Sequence, residues 1–163
     1  MPDPQIPNPA GLYGFAGVPN VQHVEVVNNS GGTLLPGDVV AFTTDVTGCL
    51  VTTTTTLNDK TVLGVVAARV PTDSINTQSA TGPGLPYSAG AVIPVIVRGP
   101  ARINVGANTP AAADILTTST VAKAAITNAG APAANAVIGS LIAICIAAAK
   151  DANNTVVAYI NKF

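Results

Sequence analysis

The chain has 163 residues, of which 7 are basic and 8 acidic, 9% charged against the roughly 25% usual for a soluble globular domain. That length makes one domain, or one domain with an arm, and buries about 70% of the unfolded surface, so a core forms without staples. The net charge of −1 is made of singly scattered charges, with no basic stripe to follow phosphates, which excludes nucleic acid as the partner.

Residues 1–20 read as an extended N-terminal arm. Pro2, Pro4, Pro7, Pro9 and Pro19, with Gly11, Gly14 and Gly17, oppose both helix and ladder pairing. The arm nonetheless carries Ile6, Leu12, Tyr13, Phe15 and Val18, side chains that a purely solvated leader lacks. These five are candidates for contact with the chain's own domain or a neighbouring subunit. Met1-Pro2-Asp3-Pro4 has neither the positive nor the apolar region of a secretory signal, so synthesis in a cytoplasm is expected.

Residues 21–163 read as a single, mainly β domain with little helix, a compact barrel or a sandwich. Val21 to Val27 alternates, with Val24 and Val26 on one side and His23 and Glu25 on the other, and Asn28 to Gly32 closes it. Gly37 to Phe42 and Cys49 to Thr56 form a predicted hairpin, the Thr run being β-branched. Val62 to Val70 is the next strand, followed by a Ser, Thr, Gly and Pro-rich loop from Pro71 to Ser88. Ala91 to Val97 and Ala101 to Val105 are predicted as two strands around a corner at Arg98-Gly99-Pro100, with Pro94 marking an edge or a bulge. In the Ala-rich stretch that follows, Asp114 to Leu116 and Val121 to Ile126 are short strands. Val137 to Ala147 is Ile- and Val-dense, and the Lys150 to Asn154 turn before Thr155 to Ile160 makes it half of a hairpin. The apolar run reaches only Ala149, about 13 residues where a membrane-spanning helix needs about 20.

A weak internal repeat relates residues 29–70 and 104–147. Asp38-Val39-Val40 finds a counterpart in Asp114-Ile115-Leu116, and Val62-Leu63-Gly64 in Val137-Ile138-Gly139. Such a repeat describes two related β-layers on one core.

Little here suggests catalysis. His23 is the only histidine, on the polar side of its strand beside Glu25, and no close pair of carboxylates recurs. Asp38 and Asp114 suit turns, where a carboxylate bonds its own backbone. Cys49 and Cys145 stand in no metal or redox spacing and are expected to be two buried thiols. No enzyme, metal or cofactor is expected. Three of the seven basic residues, Arg69, Arg98 and Arg102, lie on or beside apolar strands, where guanidinium groups suit partly desolvated interface pairing.

The succession Leu35-Pro36-Gly37-Asp38-Val39-Val40, Val62-Leu63-Gly64-Val65-Val66-Ala67, Ala89 to Gly99, Val137-Ile138-Gly139 and Thr155 to Ile160 resembles the head decoration, or capsid cement, proteins of tailed phages. The resemblance covers about residues 22–163. It implies a non-enzymatic role: binding the outside of an assembled capsid through the major capsid protein, commonly as a trimer, with an N-terminal segment reaching onto the lattice. Under that resemblance the protein belongs on the virion exterior, with no nucleic-acid or membrane partner. The alternatives are another virion component, such as a minor capsid, spike-base or tail protein, and a carbohydrate-binding β-module. Having no Trp, 3 Tyr and 3 Phe, the chain is poorly equipped for the last.

Overall fold

The computed structural model describes residues 21–45, 47–67, 86–127 and 141–162, which hold nine strands and no helix. They are β1 (Gln22–Asn28), β2 (Val39–Phe42), β3 (Leu50–Thr52), β4 (Val62–Val66), β5 (Val92–Asn104), β6 (Ile115–Thr118), β7 (Ala125–Thr127), β8 (Leu141–Ala147) and β9 (Thr155–Asn161). The β-branched and apolar runs fall in these strands, with turns between them at Asn29 to Gly32, at Pro36 and Gly37, and around Asn153 and Asn154.

The strand order is β1-β3-β2-β4-β5-β9-β8-β6-β7, and β1 also pairs with β5. That last pairing closes β1, β3, β2, β4 and β5 into a five-stranded barrel. The remaining four strands continue the sheet from β5. All the pairings are antiparallel except β1 with β3, where Val27 and Asn28 face Leu50 and Val51.

β5 is one long strand of 13 residues rather than two strands around a corner. The turn signals at Arg98-Gly99-Pro100 mark the place where it changes partners. Residues 92–98 pair with β1, and residues 98–104 with β9. Val97 is an extra residue between Gln22↔Arg98 and His23↔Ile96, and Gly99 takes φ 116, a conformation natural to glycine. Pro100 does not break the ladder because the Asn104 N–H points to the Gly37 carbonyl, 2.8 Å away, on the edge opposite β9. The unbroken alternation from 100 to 104 directs the missing N–H of Pro100 to that same edge.

Pro94 ends the β4–β5 ladder, whose paired residues stop at Val66↔Val95. Its carbonyl accepts from Ala67 N at 2.9 Å, and its missing N–H faces the Ala67 carbonyl. The Tyr87 hydroxyl donates to that carbonyl instead, at 3.2 Å. Leu34 and Tyr87 in turn exchange two backbone bonds, an isolated bridge over the barrel end.

Two cores result. Inside the barrel lie Val26, Leu34, Val40, Val51, Leu63, Val66, Tyr87, Ile93, Val95 and Val97. Outside it, Val39, Val62 and Val65 from the barrel wall pack with Ile103, Leu116, Ile142, Cys145, Val156, Ala158 and Ile160. β2 and β4 are therefore buried on both faces, which explains their unbroken apolar runs.

The Thr run departs from expectation. β3 stops at Thr52, and the remaining threonines make a loop held by side-chain bonds. Thr54 Oγ1 donates to Asp59 Oδ2 at 2.5 Å, Thr118 Oγ1 donates to the Thr56 carbonyl at 2.8 Å, and Asp59 N donates to Thr118 Oγ1 at 2.7 Å. Hydroxyls bonding nearby backbone compete with the ladder. The two cysteines are free thiols, but only Cys145 is buried, whereas Cys49 is exposed in the turn ahead of β3.

Candidate docking surfaces

The described carboxylates are largely committed to the fold. Asp38 is 3% exposed and accepts from Leu35 N at 2.9 Å and Asn104 Nδ2 at 3.2 Å, with Lys123 Nζ 3.7 Å away. Burial raises its pKa, and the bonds from Leu35 and Asn104 and the Lys123 charge oppose that only in part. Asp114 makes the same kind of turn, accepting from Ala111 N at 2.7 Å. Asp151 accepts from Thr155 Oγ1 at 2.6 Å, Thr155 N at 2.8 Å and Asn153 N at 2.9 Å. Burial pushes its carboxyl up, but these bonds and Arg102 outweigh it and hold the pKa below the usual range.

Among the described residues no group of three or more His, Cys, Asp or Glu is placed to hold a metal ion. His23 and Glu25 are exposed on the outer side of β1. A cleft of about 130 Å³ lies beside the Asp38 turn, lined by Leu35, Pro36, Asp38, Asn104, Asn153 and Thr155. It is small beside the roughly 300–1,000 Å³ of a ligand pocket, and its carboxylate already holds three partners. No helix among the described residues is long and apolar enough to cross a membrane.

Two of the basic candidates fall on β5, at positions of the same strand phase. Arg98 is exposed where β1 and β9 meet, opposite both Gln22 and Asn161. Arg102 Nη1 lies 3.0 Å from Asp151 Oδ2, with half of its side chain exposed. Ile6, Leu12, Tyr13, Phe15, Val18 and Arg69 lie outside the described residues.

A feature that the sequence reading missed lies between these arginines. Register places Ile115 opposite Ile144, Ile144 opposite Tyr159, and Tyr159 opposite Pro100, a row across β6, β8, β9 and β5. Ile115 is 40% exposed and Ile144 48%, and the neighbouring Ile146 is 51% exposed. Tyr159 and Pro100 are half-buried. In the strands that carry this row, Arg98 and Arg102 are the only charged residues.

Comparison with known proteins finds no matching family model and no matching curated protein. Solved structures do match. A chain of the capsid of Myoviridae phage XM1 is 24% identical, with a TM-score of 0.54, over 89% of this chain and 86% of that one. The head fiber gp8.5 N base of bacteriophage phi29 is 12% identical, with a TM-score of 0.44, over 87% of this chain and 95% of that one. The phage XM1 likeness spans both the barrel and the added sheet, so the two chains share a fold.

Proposed function

We propose that this protein is a structural component of a phage head that binds the outer surface of the capsid shell and stabilises it. The observation that carries this reading is the fold shared, over most of both chains, with a chain of the phage XM1 capsid. The chemistry of the surface agrees with it. Most of the described carboxylates serve turns, the cleft is small, and an apolar face bordered by Arg98 and Arg102 is exposed across β5, β9, β8 and β6, equipment for adhesion rather than turnover. The partner under this reading is the major capsid protein. Residues 1–20, rich in proline and bearing Ile6, Leu12, Tyr13, Phe15 and Val18, supply an arm that spreads modest contacts over a neighbour, and repetition around the shell multiplies them.

The test uses purified particles stripped of this protein. Added full-length chain is expected to rebind at a copy number set by the capsid lattice and to raise the temperature at which the shells open. Deleting residues 1–20 is expected to lower occupancy at least about tenfold while the thermal unfolding of the free protein stays unchanged. Absence of rebinding by the full-length chain overturns the reading. Undiminished occupancy after the deletion removes the arm from it.

A further inference from the structure

β1 extends beyond the strand that flanks it. The Asn28 N–H points to the Ala91 carbonyl, 2.9 Å away, so the backbone groups of Asn28, and by alternation those of Val26 and Val24, face β5. Those of the odd-numbered residues face the other edge. There Val27 N donates to the Cys49 carbonyl at 2.8 Å and Asn29 N to the Val51 carbonyl at 2.7 Å. The β1–β3 ladder begins only at Val27, because the turn that Gly48 N and the Asp45 carbonyl close at 3.3 Å leads the chain away ahead of β3. Among the described residues, no backbone bond reaches the open edge at His23 and Glu25.

Burial marks the same stretch. Gln22 to Glu25 are exposed whichever way they point, whereas Val26 is buried. Val24 shares the inward phase of Val26 and pairs with Val95, yet it is 37% exposed where they are 5% and 0%. A strand end with a free edge and a half-covered inward valine is a template for strand addition.

The side chains select which strand. His23 and Glu25 stand two positions apart on the outer side, a ring donor and an acceptor, and neither has a hydrogen bond or ion pair to another described residue. Between two antiparallel copies of β1, the residues that bond across this edge are odd-numbered on both. A register centred on His23 sets imidazole against imidazole, and one centred on Glu25 sets carboxylate against carboxylate. Centring on Val24 sets His23 of each copy opposite Glu25 of the other, and brings the two Val24 side chains together in the closer, non-hydrogen-bonded pairing. The paired stretch, residues 22–26 of each copy, ends where β3 takes up Val27.

We infer that two copies of this chain join by antiparallel addition of β1 to β1 about a two-fold axis at Val24, with His23 of each against Glu25 of the other. Read along an antiparallel partner, the edge asks for an acid opposite His23 and a donor opposite Glu25, and β1 itself supplies that pair in that order. The contact is self-complementary, as a closed dimer requires, and runs the sheets of two barrels into one.

Sedimentation velocity of the isolated full-length chain tests this without any particle, so its failure and that of capsid binding are distinguishable. So small a contact is expected to give a dimer with a dissociation constant of about 10–100 μM. A monomer throughout a series reaching about 1 mM overturns the inference. Glu25→Lys sets a cation against His23, and His23→Glu sets carboxylate against carboxylate; each is expected to weaken association at least about tenfold. Combining His23→Glu with Glu25→Lys restores the pairing in reverse and is expected to return association to within about threefold of the unsubstituted chain. Both side chains are exposed, and circular dichroism and melting check that all three variants keep the fold. Ile144→Lys, on β8, is expected to leave association unchanged. Association that survives the single substitutions in β1, that the double substitution does not restore, or that Ile144→Lys abolishes, places the contact elsewhere and overturns the assignment.

Discussion

Gly64 shows how a single missing atom holds the barrel closed. A Cβ built there meets the Ile96 carbonyl oxygen at 2.2 Å and Val95 Cγ1 at 3.2 Å, so β4 approaches β5 more closely than any side chain permits. Gly64→Ala is expected to cost about 3 kcal/mol of stability in chemical denaturation, near the upper end for overpacking, because the obstacle is backbone and not a side chain that can rotate away. Asp residues set the pH response. Asp151 and Asp59 lie below the ordinary carboxylate range: burial works against them, but hydrogen bonds from Thr155 and Asn153, and from Thr54 and Thr61, outweigh it. The stability they contribute is present above pH ~4 and lost as pH falls through their folded pKa values. Asp38 has the opposite sign. Raised by burial, it contributes stability that is full below pH ~4 and lost as pH rises through its folded pKa. Denaturation curves from pH 2.5 to 7 are therefore expected to show that Asp151→Asn flattens only the acid loss, and that Asp38→Asn flattens only the decline above pH ~4.

At the scale of elements, β5 is where sequence and structure part most instructively. Its two prolines and one central glycine look like breakers when each is taken alone. In the sheet, Pro100 turns its missing donor to the edge that β9 does not use, and Pro94 sits at the last rung of its ladder with Tyr87 supplying the absent bond. Tyr87→Phe leaves the Ala67 carbonyl without that donor and is expected to cost about 1 kcal/mol, read as a lower denaturation midpoint at unchanged slope. The β-branched runs at Val62 to Val66 and Thr155 to Ile160 were legible because their side chains leave little alternative to a strand. Register was not legible, since a one-residue shift such as the one at Val97 arises from contacts between strands far apart in sequence. For the same reason the row Ile115, Ile144, Tyr159 and Pro100 escaped notice. Its members come from four strands, and no two of them are close in sequence. Arg98 and Arg102 were legible as cations on or beside apolar strands, but not that Asp151 already holds one of them. Asn28 escaped entirely. It reads as the start of a loop, yet it is fully buried, with Nδ2 donating to the carbonyls of Gly32, Tyr87 and Ser88.

For the molecule as a whole, scarcity of charge has two separate consequences. Part of the described polarity is neutral: Thr and Asn side chains bond the loops, as where Thr54 Oγ1 accepts from Thr56 N and Asn58 Oδ1 accepts from Thr117 Oγ1. Another part of the described exterior is the apolar face, where attraction comes from removing hydrocarbon from water and not from charge pairing. Such attraction is insensitive to the ions that shrink the Debye length from about 30 Å at 0.01 M to about 3 Å at 1 M. Arg98 is the described exception, an exposed cation beside the face with no acidic strand residue near it. Binding to particles, measured as occupancy after sedimentation, is therefore expected to change less than about threefold between 0.05 and 0.5 M sodium chloride, since one or two exposed charges are worth only ~1 kcal/mol even unscreened. A tenfold loss over that range would require many more ion pairs than β5, β6, β8 and β9 can offer, and would move the capsid contact of the proposed function to another surface.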